Sequence, residues 1–224
     1  MWTTTAAFSG LIVAALCWRF ALTLAPDEHG IPLSTLPRNR WLAAMCAALL
    51  GGAAGAAGTA AVWPHQPDVL AFALFAAVSP CLAVIDAVLH RLPFVVAGVL
   101  AVAVAIAFGW DALLSGESDA LMRAVWAGAA AGAFGLLLWL VFPGKFGFGD
   151  VALLSVIGVF AGSLSWAAIW AALFVGFTLA ALGAGVARWR AGRTGAHLPL
   201  GPFLLAGWWT VFALYAAGWV NQPL

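Results

Sequence analysis

Long apolar runs separated by short polar segments dominate this chain. A membrane-spanning helix needs about 20 mostly apolar residues. Six runs are close to that length: Ala6–Leu24, Trp41–Val62, Val69–Leu89, Phe94–Trp110, Leu121–Phe142 and Leu198–Trp219. A further uncharged run, Val151–Ala187, is too long for one untilted crossing. The pattern predicts an all-α, polytopic integral membrane helical bundle.

Composition excludes the soluble alternatives. Hydrophobic residues make up 65% of the chain and charged residues 8%, and the mean hydropathy is +1.07. A soluble domain carries about three times as many charged residues. The net charge of +1 gives no field that would gather nucleic acid. We therefore expect a lipid bilayer around the chain and no nucleic-acid partner.

The basic residues predict the topology, because short loops rich in Lys and Arg stay on the cytoplasmic side. If Val151–Ala187 is a hairpin that turns near Gly162-Ser163, the basic loop residues all fall on one side: Arg38, Arg40, Arg91, Lys145, Arg188, Arg190 and Arg193. This arrangement has about eight transmembrane helices and both termini outside. Arg123, near the outer end of span five, does not fit it. One crossing plus a re-entrant segment remains the alternative for Val151–Ala187.

We expect two parts in the chain. Residues 1–68 hold two transmembrane helices and a short cytoplasmic loop, and residues 69–224 hold a core of about six transmembrane helices. Span one is expected to be an anchor rather than a cleaved signal peptide, because Met1–Ala6 carries none of the basic charge of a secretory leader.

Cysteine and histidine give no sign of a metal or cofactor site. The three cysteines lie in apolar runs, form no C-x-x-C pair and are odd in number: Cys17, Cys46 and Cys81. Neither a disulfide framework nor a zinc site is expected, so we interpret them as packing residues.

Gly51-x-x-x-Gly55 and Gly128-x-x-x-Gly132 are interpreted as close helix–helix contacts within the chain.

Two acidic residues stand at membrane depth, where an ionisable side chain costs a few kcal/mol and marks a candidate functional site. Asp86 ends span three, and Asp150 opens span six. The remaining acids are assigned to solvated loops: Asp27, Glu28, Asp68, Asp111, Glu117 and Asp119.

In the predicted topology Asp86 and Asp150 reach the same depth on the cytoplasmic side. Two carboxylates that meet in a low-dielectric site can share one proton, as an aspartic protease pair requires. Gly147 and Gly149 would let the backbone approach closely and adopt positive φ, and Pro93 suits the start of the next span. The simpler alternative is a turn with Asp150 as N-cap.

Three segments resemble the type IV prepilin peptidase family, membrane aspartyl proteases of the GxGD kind. They are Ile85-Asp86 with Leu92-Pro93, then Gly147-Phe148-Gly149-Asp150 with Leu153-Leu154, and last Leu198–Leu204, which contains Gly201 and Pro202. The resemblance covers about Val69 to Trp219.

The resemblance implies that Asp86 and Asp150 are the catalytic pair and that Gly147, Gly149, Pro93, Gly201 and Pro202 support it. It implies an endopeptidase of the cytoplasmic (inner) membrane that uses no metal or cofactor. The substrates would be prepilin-like proteins, cut behind a short basic leader at the cytoplasmic face. Whether the chain acts as a homodimer stays open, as does the choice among pilus, secretion and DNA-uptake systems.

The sequence departs from the family at two points. Ala152 stands where the family usually has Lys, and Phe94 where it often has an acid. The first loop is short and lacks cysteine, so we expect no methyltransferase activity. Two rival hypotheses remain: a small transporter with an acidic proton or cation relay, and an inactive scaffold of a pilus or secretion assembly.

Overall fold

The computed structural model describes residues 2–23, 38–62, 69–89, 92, 94–116, 118–143, 146–191 and 199–218. In these ranges the chain is all-helical, with eight helices: α1 (Trp2–Thr23), α2 (Arg38–Val62), α3 (Val69–Leu89), α4 (Phe94–Ser115), α5 (Asp119–Val141), α6 (Phe148–Leu164), α7 (Trp166–Ala191) and α8 (Gly201–Ala216). The all-α part of the predicted fold class is confirmed for these residues, and the polytopic membrane bundle stays a prediction.

Four of these helices are long and apolar enough to cross a membrane. Their qualifying segments are Trp41–Ala61, Val69–Val88, Asp119–Val141 and Trp166–Trp189. The apolar segments Val96–Trp110, Phe148–Leu164 and Gly201–Ala216 are shorter. About eight crossings therefore stays a prediction.

Two acids that we assigned to loops lie in helices. Asp111 belongs to α4, which runs on to Ser115, and Asp119 is the first residue of α5. An acid in the first turn of a helix is stabilised by the partial positive charge of that end, which explains why α5 begins at Asp119. The connection between α4 and α5 is consequently shorter than we predicted.

The long run Val151–Ala187 is divided between α6 and α7, and the break is at Ser165, two residues beyond the turn predicted near Gly162-Ser163. Gly162 is a packing residue, since a Cβ atom there would lie 3.0 Å from the Arg123 carbonyl of α5. Ser165 has an extended backbone, and its Oγ accepts a hydrogen bond of 3.0 Å from the Ala168 N–H. It therefore ends α6 and caps α7.

The chain forms two compact units, Met1–Asp111 and Ala112–Leu224. The predicted division between residues 68 and 69, into two N-terminal helices and a core of about six helices, stays a prediction. In the first unit α2 packs against both α1 and α3. A Cβ atom on Gly52 of α2 would lie 2.7 Å from Ala14 Cβ of α1 and 2.6 Å from the Ala77 carbonyl of α3. The small residue is therefore required for these contacts, as interpreted from the sequence.

Pro80 lies inside α3. Proline has no N–H, so the carbonyl of Ala76, four residues earlier, loses its partner within the helix. Gly55 of α2 approaches that carbonyl so closely that a Cβ atom would lie 2.8 Å from it. Ser79 beside the proline is buried, and its hydroxyl donates to the Phe75 carbonyl at 2.6 Å. Both contacts lie in the turn of α3 that precedes Pro80.

In the second unit α5 and α6 form the most extensive helix pair. A Cβ atom on Gly158 of α6 would lie 2.7 Å from the Ala127 carbonyl of α5. At the opposite end of the pair, one on Gly135 of α5 would lie 3.1 Å from Val151 Cα. Low-numbered residues of α5 thus meet high-numbered residues of α6, and the two helices run antiparallel.

Candidate functional site

Asp86 lies in the last turn of α3 and is 4% exposed. Among the residues that the structure describes, it is the one buried acidic side chain. Its neighbour Ile85 and Leu82, one turn earlier, are buried as well. A carboxyl group in such surroundings is costly unless it has partners or a function. This burial agrees with the sequence-based choice of Asp86 as a candidate.

Asp150 lies in the first turn of α6 and is half-buried. Its Oδ2 accepts a hydrogen bond of 3.1 Å from the Gly147 N–H. Gly147 is the N-cap residue and Asp150 the third helical residue, so the alternative of an N-cap aspartate is wrong in detail. The carboxylate reaches back to cap the chain entering the helix, as a Glu or Gln does in a capping box.

The expectation of positive φ in the Gly147–Gly149 turn is wrong. Gly147 is extended, with φ −84° and ψ 147°, and Gly149 is already helical. Space is the limiting factor at Gly147 instead. A Cβ atom there would lie 3.2 Å from Asp150 Oδ2, so the carboxylate would have to shift by a few tenths of an ångström.

The start of α6 is held by its contact with α5. Val151, Leu153 and Leu154 are buried, and Gly135 of α5 packs against Val151 and Leu154. Because the buried residues flank Asp150 on the chain, the position of the carboxylate follows from the α5–α6 pair. Ala152 is half-buried.

The two carboxylates belong to different units, Asp86 to the first and Asp150 to the second. The structure describes the surroundings of each within its own unit. That they meet and share a proton stays a prediction.

The remaining predicted site residues fall in two places. Gly201 and Pro202 are the first two residues of α8, where proline fits because the first N–H groups of a helix have no partner within it. Gly201 is buried. Pro93 lies outside the described residues, and so do His90 and Arg91 next to it.

Arg123, the basic residue that did not fit the topology, has a structural role. Its Nε donates to the Gly162 carbonyl at 2.7 Å, and an Nη atom donates to the Ser163 carbonyl at 2.9 Å. Both carbonyls belong to the last turn of α6 and lack partners within that helix. The guanidinium also offsets the partial negative charge of this helix end.

Two cysteines that we interpreted as separate packing residues are in contact. The side chains of Cys17 in α1 and Cys81 in α3 interact with each other where the two helices pack together. Both are buried, whereas Cys46 is exposed. Nothing in their spacing along the chain signals this contact, because it depends on how α1 and α3 align.

An apolar groove of about 560 Å³ lies between α5 and α7. Alanine and aromatic side chains dominate its lining, and Phe134 and Phe177 meet across it edge to face at 6.0 Å. Thr178 is the polar residue of the lining. Asp150 does not line it, so the groove adds nothing to the candidate chemistry.

Comparison with known proteins adds no relative. No family model matches the chain. No curated protein and no solved structure matches it either.

Proposed function

We propose that this protein is a membrane aspartic endopeptidase similar to the type IV prepilin peptidases. Its substrates are prepilin-like precursors, from which it removes the short basic leader at the cytoplasmic face of the inner membrane. We propose that the protein has no methyltransferase activity.

The observation that carries the proposal is the position of the two acids. Asp86 is buried in the last turn of apolar α3, and Asp150 stands in the first turn of apolar α6. Each lies in a segment that resembles a catalytic block of the family. A buried carboxyl group at the end of an apolar helix is the kind of residue that membrane proteins keep for function.

The topology that belongs to this proposal has eight crossings and both termini outside. α3 then ends, and α6 begins, on the cytoplasmic side, so both carboxyl groups are reached from the compartment that holds the basic leader. The arginines at the end of α7 and just after it, Arg188, Arg190 and Arg193, fall on the same side, as the positive-inside rule requires. The positive-inside rule does not depend on the family resemblance, and both favour a site on the cytoplasmic side.

The proposed mechanism uses the two aspartates as one acid–base pair that holds a single proton. The ionised carboxylate removes a proton from a water molecule, and the water oxygen attacks the carbonyl carbon of the scissile peptide bond. The protonated carboxyl group donates its proton to the carbonyl oxygen. When the resulting tetrahedral intermediate breaks down, the leaving nitrogen takes a proton from the pair and a hydroxyl group of the intermediate returns one to it. Two chain ends are released, and the pair again holds a single proton.

Within this mechanism, Gly147 would position Asp150. The hydrogen bond from its N–H holds Oδ2 at 3.1 Å and helps to fix the carboxylate at the start of α6. Such positioning matters because a small misplacement of a catalytic group can lower the rate by about a hundredfold.

The experiment that tests the proposal is co-expression with a prepilin-like protein from the same genome, with leader loss followed on immunoblots. The variants are Asp86→Asn and Asp150→Asn, and Asp119→Asn is the matched control because this acid is exposed at the start of α5. All must be present in the membrane in equal amount. We expect cleavage by the parent and the control and by neither site variant. Cleavage by either site variant at the parental rate would overturn the proposal.

A further inference from the structure

We propose that Cys17 and Cys81 form a redox-active dithiol that closes to a disulfide between α1 and α3. The oxidant would be a small apolar disulfide that reaches the pair through the lipid phase.

The starting geometry is a direct contact. α1 packs against α3, the Cys17 and Cys81 side chains interact there, and Cys17 is 8% exposed and Cys81 0% exposed. A disulfide bond is about 2.0 Å long, so the sulfur atoms must still approach each other as the bond forms. Cys81 lies in the apolar segment Val69–Val88, which is long enough to cross a membrane, so an oxidant that approaches it there must dissolve in lipid.

The packing of the first unit supports this contact independently. Gly52 of α2 touches Ala14 of α1 and Ala77 of α3 at one level. Gly10 of α1 packs against Ala56 of α2, and Gly51 packs against Pro80, so α2 is antiparallel to both neighbours and α1 is parallel to α3.

Cys17 lies about one turn beyond Ala14 in α1, and Cys81 lies about one turn beyond Ala77 in α3. Because α1 and α3 are parallel, both steps go in the same direction. Residues three or four positions apart lie on one helix face. The two cysteines therefore occupy equivalent positions at the α1–α3 contact, one turn beyond the level of Gly52.

The proposed reaction is thiol–disulfide exchange in two steps. One cysteine, as the thiolate, attacks the small disulfide, which forms a mixed disulfide and releases one small thiol. The second cysteine then attacks the protein sulfur of the mixed disulfide and releases the other small thiol. Two protein thiols and one small disulfide give one protein disulfide and two small thiols. The product is uncharged, which suits a buried position.

The effect of the disulfide on activity acts through Asp86 and therefore rests on the proposed function. Asp86 follows Cys81 by five residues, about 7.5 Å along the helix axis. Pro80, which weakens the hydrogen bonding of α3, stands immediately before Cys81. A disulfide would fix to α1 the part of α3 that lies beyond the proline and carries Asp86. We expect oxidation to lower peptidase activity and reduction to restore it.

The first test measures the disulfide by intact mass. The full chain is purified in nanodiscs as Cys46→Ser, which removes the exposed cysteine, and is treated with dithiodipyridine. We expect the loss of two hydrogen atoms, no retained pyridylthio group and no covalent dimer. Cys17→Ser/Cys46→Ser and Cys81→Ser/Cys46→Ser are the controls, and neither can lose two hydrogens within one chain. A retained adduct on Cys46→Ser, or an unchanged mass under conditions that modify unfolded protein, would overturn the inference.

The second test measures cleavage of a prepilin-like substrate by the same Cys46→Ser samples. We expect at least a tenfold loss on oxidation and recovery with dithiothreitol, and no change for the two double variants. If the disulfide forms and cleavage is unchanged, the regulatory part is wrong. If the reduced protein does not cleave, the proposed function fails, and the mass measurement still decides whether the dithiol exists.

Discussion

At Asp150 a hydrogen bond from the Gly147 N–H helps to position a candidate catalytic carboxylate. The Gly147 N–H holds Oδ2 at 3.1 Å, and the missing Cβ of Gly147 leaves the space that this contact needs. The glycine matters for its size, because its backbone is extended and open to any residue. The motif Gly-Phe-Gly-Asp thus has a steric explanation at its first position.

Replacing Gly147 by alanine should displace the carboxylate and leave the fold intact. The new Cβ would lie 3.2 Å from Asp150 Oδ2, so we expect roughly a tenfold lower cleavage rate. Gly185→Ala in α7 is the matched control, because a Cβ atom there meets nothing within 4 Å. The measurement is leader cleavage normalised to membrane-inserted protein. Equal rates for the two variants would show that Gly147 does not position Asp150.

Arg123 shows how a charge inside an apolar helix can be explained by structure. Arg123→Met removes both hydrogen bonds to the end of α6, and we expect a loss of about 2 kcal/mol in the free energy of unfolding. Arg188→Met is the control, since this arginine is exposed in α7. Denaturant unfolding in detergent micelles compares the two. A loss for Arg188→Met as large as that for Arg123→Met would contradict the proposed role.

At the scale of the helices, the junction of α6 and α7 depends on Ser165. Ser165→Ala removes the hydrogen bond to the Ala168 N–H and should lower stability by about 1 kcal/mol. Ser118 has the same N-cap position at α5 but makes no side-chain cap hydrogen bond. Ser118→Ala should therefore change stability by a few tenths of a kcal/mol at most. If thermal unfolding shifts equally for both, the cap explanation of the junction is wrong.

Helix positions followed from the hydrophobic pattern where polar residues bound an apolar run. α3 begins at Val69 and ends at Leu89 as predicted, because proline and charged residues flank the run. The break near Gly162 was misplaced by a few residues. A glycine that opens a turn and a glycine that lets two helices touch look alike in a sequence, and only the contact with α5 distinguishes them.

Across the whole molecule, the sequence indicated the candidate acids but not their surroundings. Asp86 and Asp150 could be chosen because few acids interrupt apolar runs. The Gly147–Asp150 hydrogen bond and the Cys17–Cys81 contact could not be found, because the first depends on the conformation of a turn and the second on the alignment of α1 and α3. Side-chain periodicity reports which face of a helix is apolar, and it does not report which residues face each other.

The proposed topology predicts which side of the membrane each junction occupies. A reporter domain fused after Ser165 should lie outside the cytoplasm, and one fused after Ala191 should lie in the cytoplasm. Paired alkaline phosphatase and green fluorescent protein fusions measure both sides. The two junctions reporting from the same side would contradict the hairpin of α6 and α7, and would favour one crossing with a re-entrant segment.

The most direct test of the central claim is single-turnover cleavage of a prepilin-like substrate by the purified chain in nanodiscs, in water enriched in oxygen-18. If Asp86 and Asp150 activate water, the released leader carries one heavy oxygen in its new carboxylate, and the rate falls by at least about a thousandfold in Asp86→Asn and in Asp150→Asn. Cleavage that persists in either variant, or a folded parent that cleaves none of several prepilin-like substrates, would contradict the account.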